Sequence, residues 1–245
     1  MTTVIVIQAR TGSTRLPSKV LLPCAGAPLL ARMLERVCAA RTAEHVVVAT
    51  TTATADDPIV DIAVAAGVGL VRGHATDLLD RHVMAARMSR ADVVVKIPSD
   101  CPLIDPAVID RVIDAFAGDY TSNLHPATWP DGNDVEVMTR DALERAWRDA
   151  TRPIDREHTT PYLWSNPDLF EIHNVEWERD YSKRVRLTID YREDYELIRR
   201  VFEELGARCS VADILALLAA RPDIAALNAR YVGTSWFRTF QEAYA

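Results

Sequence analysis

Residues 4–19 read VIVIQARTGSTRLPSK, a short apolar run followed directly by a loop of glycine, hydroxyl and basic residues. An uninterrupted apolar run of this kind is typical of a strand buried on both faces of a parallel sheet. The loop then follows the carboxyl end of the strand, where open α/β sheets bind their ligands. This stretch therefore predicts an α/β fold with a ligand-binding loop after its first strand.

Strands and helices alternate along the first half of the chain. The predicted strands are Val4–Gln8, Val46–Val48, Gly67–Val71 and Val93–Val95, and the predicted helices begin at or near Leu29, Asp57, Thr76 and Asp105. Asp-Pro pairs open the second and fourth of these helices, with a capping residue followed by a proline. Apolar strands that alternate with amphipathic helices predict a mostly parallel sheet covered by helices on both faces.

Residues 119–184 interrupt this alternation. The segment contains four of the five tryptophans and a turn signal at Pro130-Asp131-Gly132. We interpret it as an insertion, within a single domain of residues 1–245, that leaves the sheet to form an acceptor pocket, a subunit contact, or both. After it, alternating apolar residues predict one more strand and then two helical stretches, at 185–189, 193–205 and 211–231.

The composition narrows the class of protein. The chain has 245 residues and a formal net charge of −7, which argues against a nucleic acid polymer as partner because such proteins carry an excess of Lys and Arg. No apolar run approaches the length of a signal segment or a membrane span, and the four cysteines show no metal-binding spacing. We therefore expect a cytoplasmic protein with reduced thiols and no membrane partner.

Three cations, Arg10, Arg15 and Lys19, lie in the loop after the first strand. Gly12 allows the backbone to approach a phosphate closely, while backbone amides and hydroxyl groups such as that of Ser13 supply donors. The cations would neutralise a triphosphate and the charge that develops during transfer. The loop has neither the Gly-Lys-Ser/Thr ending of the P-loop nor the GxGxxG dinucleotide pattern. A solvated basic turn is the alternative.

Asp100 and Asp190 each follow a predicted strand, so both are expected at the carboxyl edge of the sheet. Mg²⁺ is bound in such sites by one or two carboxylates together with phosphate oxygens. The two aspartates are therefore candidate metal ligands. The alternatives are a turn residue for Asp100 and a helix cap for Asp190.

The basic loop and five later motifs connect the chain to a known family. In chain order they are Gln8–Lys19, Gly73–Arg81, Ser99–Ile104, Pro130–Glu136, Arg156–His158 and Thr188–Asp194. Together they resemble the cytidylyltransferases of the CMP-Kdo synthetase type, which make CMP-activated acid sugars. The chain is similar above all to the spore-coat-polysaccharide cytidylyltransferase-like proteins. Ser99 departs from the family pattern, which usually has glycine at this position.

The resemblance implies a three-layer α/β/α nucleotidyltransferase (Rossmann-like) fold, CTP as donor, a small anionic acceptor and a homodimer. It also implies that Asp100 and Asp190 hold Mg²⁺. The nucleotide-binding residues that it implies are Ala9, Arg10, Gly12, Ser13, Arg15, Lys19, Arg81 and Asp100. Of the motif that contains Arg81, Asp77 and Asp80 are equally consistent with a capped first helical turn.

Candidate acceptor-binding residues lie in the insertion and just after it: Asp134, Glu136, His158 and Arg186. Arg186 and Asp190 are four residues apart, so they share one face of the predicted strand at 185–189. An acceptor carboxylate or phosphate would find a bidentate partner in Arg186. The alternatives are a structural, hydrogen-bonded histidine and an arginine paired with a carboxylate of the insertion.

These observations predict in-line attack by an acceptor oxygen on the α-phosphorus of CTP, with Lys19, Arg10 and Arg15 as the catalytic cations and pyrophosphate as the second product. The predicted acceptors are acid sugars, sugar or polyol phosphates, and phosphonates. A glycosyltransferase that uses a nucleotide diphosphate sugar is one alternative, which the three cations in the loop disfavour. A non-catalytic nucleotide-binding regulator is the other.

Overall fold

The computed structural model describes residues 1–42 and 44–234, and the elements below belong to those residues. The strands are β1 (Thr3–Gln8), β2 (Pro23–Cys24), β3 (Ala27–Pro28), β4 (His45–Thr51), β5 (Gly69–Gly73), β6 (Val93–Pro98), β7 (Tyr120–Ser122), β8 (Glu136–Thr139) and β9 (Ile172–Asn174). The helices are α1 (Leu29–Val37), α2 (Asp57–Ala65), α3 (Leu78–Met88), α4 (Pro106–Asp114), α5 (Arg140–Asp149), α6 (Pro153–His158), α7 (Pro161–Trp164), α8 (Arg192–Leu205), α9 (Val211–Ala220) and α10 (Pro222–Ala225). Residues 235–245, which the predicted single domain includes, lie outside this description.

A seven-stranded sheet with the order β5-β4-β1-β6-β8-β7-β9 forms the centre of the described residues. β1 pairs in parallel with β4 on one side and β6 on the other, and β4 pairs in parallel with β5. β8 is antiparallel to both of its neighbours. The mostly parallel sheet predicted from the sequence is therefore confirmed.

The apolar run of β1 is buried because helices cover both faces of the sheet. Val4 to Ile7 are 0% exposed. Ile5 and Ile7 share a hydrophobic cluster with α1, α2 and α4, whereas Val4 and Val6 share the opposite cluster with α3 and α5. Since successive strand residues point to opposite faces, this partition makes three layers, helix–sheet–helix.

The segment 119–184 contributes strands to the sheet, whereas the sequence predicted that it leaves the sheet. Its strands β7, β8 and β9 form one side of the seven-stranded sheet, and Lys96 of β6 is directly opposite Glu136 of β8. These strands have only three or four residues. Runs of that length carry too little periodicity to be recognised from the sequence.

The stretch 185–189 is extended, but within the described residues it is not one of the strands of the sheet. It pairs with loops instead: Leu187 N–H donates to the Asp131 carbonyl at 2.7 Å, and Ile189 N–H donates to the Asp100 carbonyl at 2.9 Å. Leu187 and Ile189 are nonetheless buried against α8, which explains the alternating pattern. The second contact brings Asp190 beside the loop that follows β6.

The predicted helices are present, with small shifts at their ends. Asp105 caps α4, because its Oδ1 accepts the Ala107 N–H at 2.9 Å. At α2 the capping position falls on Asp56, whose carboxylate makes no cap hydrogen bond. The helical covering predicted near the C-terminus consists of α9, α10 and a 3-10 turn at Ala229–Tyr231. Among the described residues, we find no helix with the length and apolar character needed to cross a bilayer.

Candidate active site

The basic loop after β1 is folded on itself and anchored by Asp56. The Thr11 carbonyl accepts hydrogen bonds from the N–H groups of Ser13 at 2.8 Å and Ser18 at 2.9 Å. The backbone N–H and the hydroxyl of Thr11 both donate to Asp56 Oδ1 at 2.7 Å. Burial raises the pKa of Asp56, but hydrogen bonds from Thr51 and Thr11 hold this pKa below its usual value. Asp56 is thus an anionic anchor for the loop, a role that the sequence did not predict.

Lys19 lies between the two predicted metal ligands. Its Nζ is 3.0 Å from Asp190 Oδ1 and 3.5 Å from Asp100 Oδ2, and it donates to the Ile189 carbonyl at 2.6 Å. Arg15 Nη2 is 2.6 Å from the same Asp190 oxygen. The structure therefore brings together two of the three predicted cations and both predicted metal ligands at the carboxyl edge of the sheet.

The electrostatics keep this group charged. Burial lowers the pKa of Lys19, but Asp100 and Asp190 raise this pKa above its ordinary value. Burial raises the pKa of Asp190, but Lys19 and Arg15 bring this pKa below the usual range. Both groups are therefore ionised at neutral pH.

Arg10, the third predicted cation, points away from this group. Its Nη1 donates to the Ala75 carbonyl at 3.0 Å, and its Nη2 is 3.5 Å from Glu157 Oε1 of α6. About a third of the side chain is exposed. The loop thus presents cations on two sides, toward Asp190 through Arg15 and Lys19 and toward α6 through Arg10.

The small residues of the loop differ in their surroundings. Ala9 is buried, and its N–H donates to the Ala49 carbonyl at 3.2 Å. Ser13 Oγ accepts a long hydrogen bond of 3.5 Å from the Leu16 N–H. A Cβ built on Gly12 would meet no atom within 4 Å. Packing within the described protein therefore does not require glycine at position 12.

Arg81 of α3 is a buried cation beside the loop. It is 1% exposed, its Nη1 donates to the Ala49 carbonyl at 3.0 Å, and its Nε has no hydrogen-bond partner in the described part of the chain. Burial and the nearby Arg10 lower the pKa of Arg81 to about 10. Gly73 is required here, because a Cβ on it would lie 2.8 Å from Arg81 Cγ. The capping alternative is confirmed for Asp77, since its Oδ1 accepts the Asp80 N–H at 2.9 Å.

Glu136, a predicted acceptor residue, is buried in an ion pair. It is 2% exposed and pairs with Lys96, while the Tyr120 hydroxyl donates to its Oε2 at 2.5 Å. Burial raises the pKa of Glu136, but Lys96 brings this pKa below its usual value. Lys96 was not among the residues predicted from the sequence, although a single lysine inside the apolar run of β6 indicates a buried charge that needs a partner.

His158, the last residue of α6, lies two residues before Thr160, whose hydroxyl accepts a hydrogen bond from Lys96 Nζ at 3.4 Å. Burial lowers the pKa of His158, with a further contribution from Lys96, so the imidazole is neutral at pH 7. Helix α6 is tied to α3 by Arg156, whose Nη2 is 2.6 Å from Asp77 Oδ2. His158 therefore occupies a defined position beside the buried Lys96–Glu136 pair.

Asp134 and Asp131 extend the acidic character of the site. Burial, together with Asp131 and Asp100, raises the pKa of Asp134 well above its ordinary value. Burial raises the pKa of Asp131 to about 7 despite the opposing effect of Arg186. Electrostatic repulsion among Asp131, Asp134 and Asp100 thus contributes to the raised pKa values of Asp131 and Asp134.

Arg186 was predicted to bind the acceptor, but its donors are all used within the described protein. All five of its N–H groups donate to protein oxygens among the described residues: Nε to Asp194 at 3.0 Å, Nη1 to Asp131 at 3.0 Å and the Thr234 carbonyl at 3.2 Å, and Nη2 to Asp190 at 3.2 Å and Asp194 at 3.1 Å. Its side chain is 2% exposed. A guanidinium has only five donors, so Arg186 has none left for an acceptor. The alternative, pairing with carboxylates, describes its position.

A divalent cation fits the pair Asp100 and Asp190. Their oxygens converge on one ammonium group, Lys19 Nζ, so both can reach a single cation. Asp100 is 32% exposed and Asp190 15%, which leaves each accessible to a ligand. Within residues 1–42 and 44–234 no group of three or more His, Cys, Asp or Glu side chains is arranged for a metal. Two carboxylates are a ligand set that would suit Mg²⁺, which prefers oxygen ligands and is usually held by one or two carboxylates.

The protein has a mostly parallel sheet between two layers of helices, a basic loop after β1 and two carboxylates at the carboxyl edge of the sheet. This is the architecture of a nucleotidyltransferase. The cytidylyltransferase family model matches residues 4–216, and the chain belongs to this family. It is therefore a nucleotidyltransferase enzyme, as the sequence predicted.

Individual relatives agree with this assignment. A cytidylyltransferase structure from Leptospira borgpetersenii is 37% identical, with a TM-score of 0.88, and the match covers 92% of this chain and 97% of that one. The spore coat polysaccharide biosynthesis protein SpsF of Bacillus subtilis is 33% identical over 90% of this chain and 95% of its own length. A 3-deoxy-manno-octulosonate cytidylyltransferase of Anaeromyxobacter dehalogenans is 42% identical over 46% of this chain and 47% of its own. Both branches of the predicted resemblance are therefore confirmed.

Proposed function

We propose that this chain is a Mg²⁺-dependent cytidylyltransferase that transfers CMP from CTP to a small anionic acceptor and releases pyrophosphate. The observation that carries the proposal is the convergence of Lys19, Asp100 and Asp190 beside the loop that follows β1. Cations for a polyphosphate and carboxylates for a metal then occupy one edge of the sheet. The cytidylyltransferase family supplies the choice of CTP.

The phosphate-binding part of the proposal rests on the loop itself. Arg15 is half exposed and Arg10 about a third exposed, so both can reach a bound polyphosphate. Gly12 meets no protein atom that would explain a glycine, which supports close approach of a phosphate to its backbone. Buried Arg81, whose Nε has no hydrogen-bond partner among residues 1–42 and 44–234, is the further nucleotide contact that we propose.

In the proposed reaction an acceptor oxygen forms a bond to the α-phosphorus of CTP while the bond to the β-phosphate breaks. Asp100 and Asp190 would hold the metal, which when bound supplies Lewis-acid stabilisation of the phosphoryl oxygens. Lys19 and Arg15 would neutralise the charge that grows on the departing pyrophosphate. Catalysis of this kind depends on positioning and charge, so no protein nucleophile is required.

The acceptor side of the proposal uses the region around Glu136 and His158. The Lys96–Glu136 pair is internally neutralised, and His158 is uncharged at pH 7, so this region offers hydrogen bonds with little net charge. Such a lining suits the hydroxyl groups of a sugar or polyol. The SpsF relative is named for polysaccharide biosynthesis and another relative for 3-deoxy-manno-octulosonate. We therefore propose an acid sugar, a sugar or polyol phosphate, or a phosphonate.

A pyrophosphate-release screen tests the function. The purified chain with Mg²⁺ is offered CTP, ATP, GTP and UTP in parallel, each against a panel of acid sugars, sugar and polyol phosphates, and phosphonates. We expect acceptor-dependent release with CTP above the other three. A clear preference for another base would retain the nucleotidyltransferase class and reject cytosine. Transfer from a nucleotide diphosphate sugar instead would favour the glycosyltransferase alternative.

The homodimer and the cytoplasmic location expected from the sequence belong to the same proposal. Sedimentation equilibrium of the full chain measures the mass of the species in solution. A monomer across the concentration range would reject the dimer and leave the chemistry unaffected.

A further inference from the structure

The two carboxylate oxygens of Asp190 have different partners. Oδ1 faces the cations of the basic loop, with Arg15 Nη2 at 2.6 Å and Lys19 Nζ at 3.0 Å. Oδ2 accepts from Arg186 Nη2 at 3.2 Å. Arg186 therefore fixes one oxygen of the Asp190 carboxylate, while the other oxygen faces the basic loop.

Arg186 is itself fixed by Asp194, in the first turn of α8. Asp194 is 0% exposed and accepts hydrogen bonds from Arg186 and from the backbone N–H groups of Asp190 and Tyr191, both at 3.0 Å. One buried carboxylate thus orients both the side chain that supports Asp190 and the backbone of Asp190. A charged hydrogen-bond network of this density is rigid when it is fully satisfied.

The network is completed by a residue that lies outside the region matched by the family model, which ends at residue 216. Asn228 is 2% exposed, and its Nδ2 donates to Asp194 Oδ1 at 2.9 Å and to the Arg186 carbonyl at 3.0 Å. The segment around Asn228 is also anchored next to Asp190. The ring of Tyr231 stacks on that of Tyr191, the residue after Asp190, with 3.8 Å between the ring centroids. The C-terminal segment therefore reaches back to the candidate active site.

We propose that Asn228 is a positioning residue that acts through Asp194 and Arg186 to hold Asp190 in its metal-binding orientation. The proposal rests on the proposed metal-dependent function. Outer partners of this kind orient metal ligands, and their loss typically weakens metal binding by about 10–100-fold. The C-terminal segment is thus part of the apparatus of the site, and not only a cover for the core.

The test is Asn228→Ala in the full chain. Free Mn²⁺ is measured by electron paramagnetic resonance with and without CTP, and CTP binding without metal is measured by calorimetry. Asn174→Ala is the matched control, because Asn174 also donates through Nδ2 to a carbonyl, that of Pro126 at 3.0 Å, in a part of the sheet remote from Asp190.

We expect Mn²⁺ binding in the presence of CTP to weaken roughly 10-fold in Asn228→Ala, the lower end of the range for outer partners. CTP binding without metal should stay as in the wild type, and Asn174→Ala should bind Mn²⁺ normally even if its melting temperature falls. Asn228→Ser, a milder change, gives an intermediate value and replaces the alanine variant if that variant does not fold.

Two results would overturn parts of this picture separately. Wild-type Mn²⁺ binding in a folded Asn228→Ala or Asn228→Ser protein would reject the positioning role and leave the proposed function intact. Absence of CTP-dependent Mn²⁺ binding in the wild type would instead reject the metal-dependent function itself.

Discussion

The nucleotide side of the site, formed by Arg15, Lys19, Asp100 and Asp190, differs sharply from the acceptor side around Lys96 and Glu136. On the nucleotide side the exposed fraction falls from 51% at Arg15 and 32% at Asp100 to 15% at Asp190 and 12% at Lys19, whereas on the acceptor side Lys96 is 7% exposed and Glu136 2%. Exposed charges remain available to a ligand, but a buried pair is neutralised by its own partner. Substitutions on the nucleotide side should therefore alter catalysis first, and those on the acceptor side should alter stability first.

Lys96→Met tests the acceptor side and carries the largest expected effect. It leaves Glu136 buried without its cation, which typically costs about 3–5 kcal/mol of unfolding free energy. Urea denaturation followed by circular dichroism measures the loss. The double variant Lys96→Met/Glu136→Gln should recover most of it, because the orphaned charge is gone. A single variant as stable as the wild type would contradict the comparison.

Lys19→Ala and Asp100→Asn test the nucleotide side. Each should lower kcat by roughly 10²–10³, the usual cost of one lost electrostatic contact to a transition state. The circular dichroism spectrum should not change, because both residues lie outside the strands and α-helices, at the carboxyl edge of the sheet, and neither belongs to the hydrophobic core. Arg208→Ala, which removes an exposed cation from a distant loop, is the control and should keep full activity. Normal turnover in either active-site variant would show that the nucleotide side is wrongly assigned.

Glu136→Gln sharpens the comparison through pH. Burial raises the pKa of Glu136, but Lys96 brings it below the usual value, so the folded state holds this proton less tightly than the unfolded chain does. The stabilisation is present above the unfolded pKa, about 4.3, and is lost as the pH falls through the folded pKa. We expect the stability of the wild type to fall more steeply than that of Glu136→Gln as the pH drops below about 4.3, the pKa of glutamate in an unfolded chain. The free energy of unfolding of both proteins is measured by urea denaturation at each pH. If it falls equally steeply with pH in both, this linkage is excluded.

His158→Asn is expected to have the smallest effect. Loss of one hydrogen bond, about 0.5–1.5 kcal/mol, should raise the acceptor KM roughly 2–10-fold and leave the CTP dissociation constant unchanged. His173→Asn, at a partly exposed histidine paired with Glu171, provides the matched control. If CTP binding weakens in the same proportion as acceptor binding, His158 belongs to the nucleotide side.

The two sides also differed in how far they could be predicted. The nucleotide side follows parallel strands, and topology places the ends of such strands at one edge. Lys19, Asp100 and Asp190 were therefore expected together, and Lys19 Nζ lies within 3.5 Å of both carboxylates. The acceptor side is built from short antiparallel strands, so the facing of Lys96 and Glu136 across β6 and β8 left no periodic trace in the sequence.

The order of residues was enough to predict the class of fold, the buried run of β1, the position of the basic loop and the family, because these depend on local patterns along the chain. The partners of the charged residues, in contrast, became apparent only from the folded structure. Arg186 shows this most clearly: its neighbours Val185 and Leu187 both pack against the cluster around α8, but the partners of its five donors come from residues up to 55 positions away. Asn228 and Asp194 likewise gain their roles only when the C-terminal segment returns to the site. Hydrogen bonding depends on distance in space, which the order of residues along a chain does not specify.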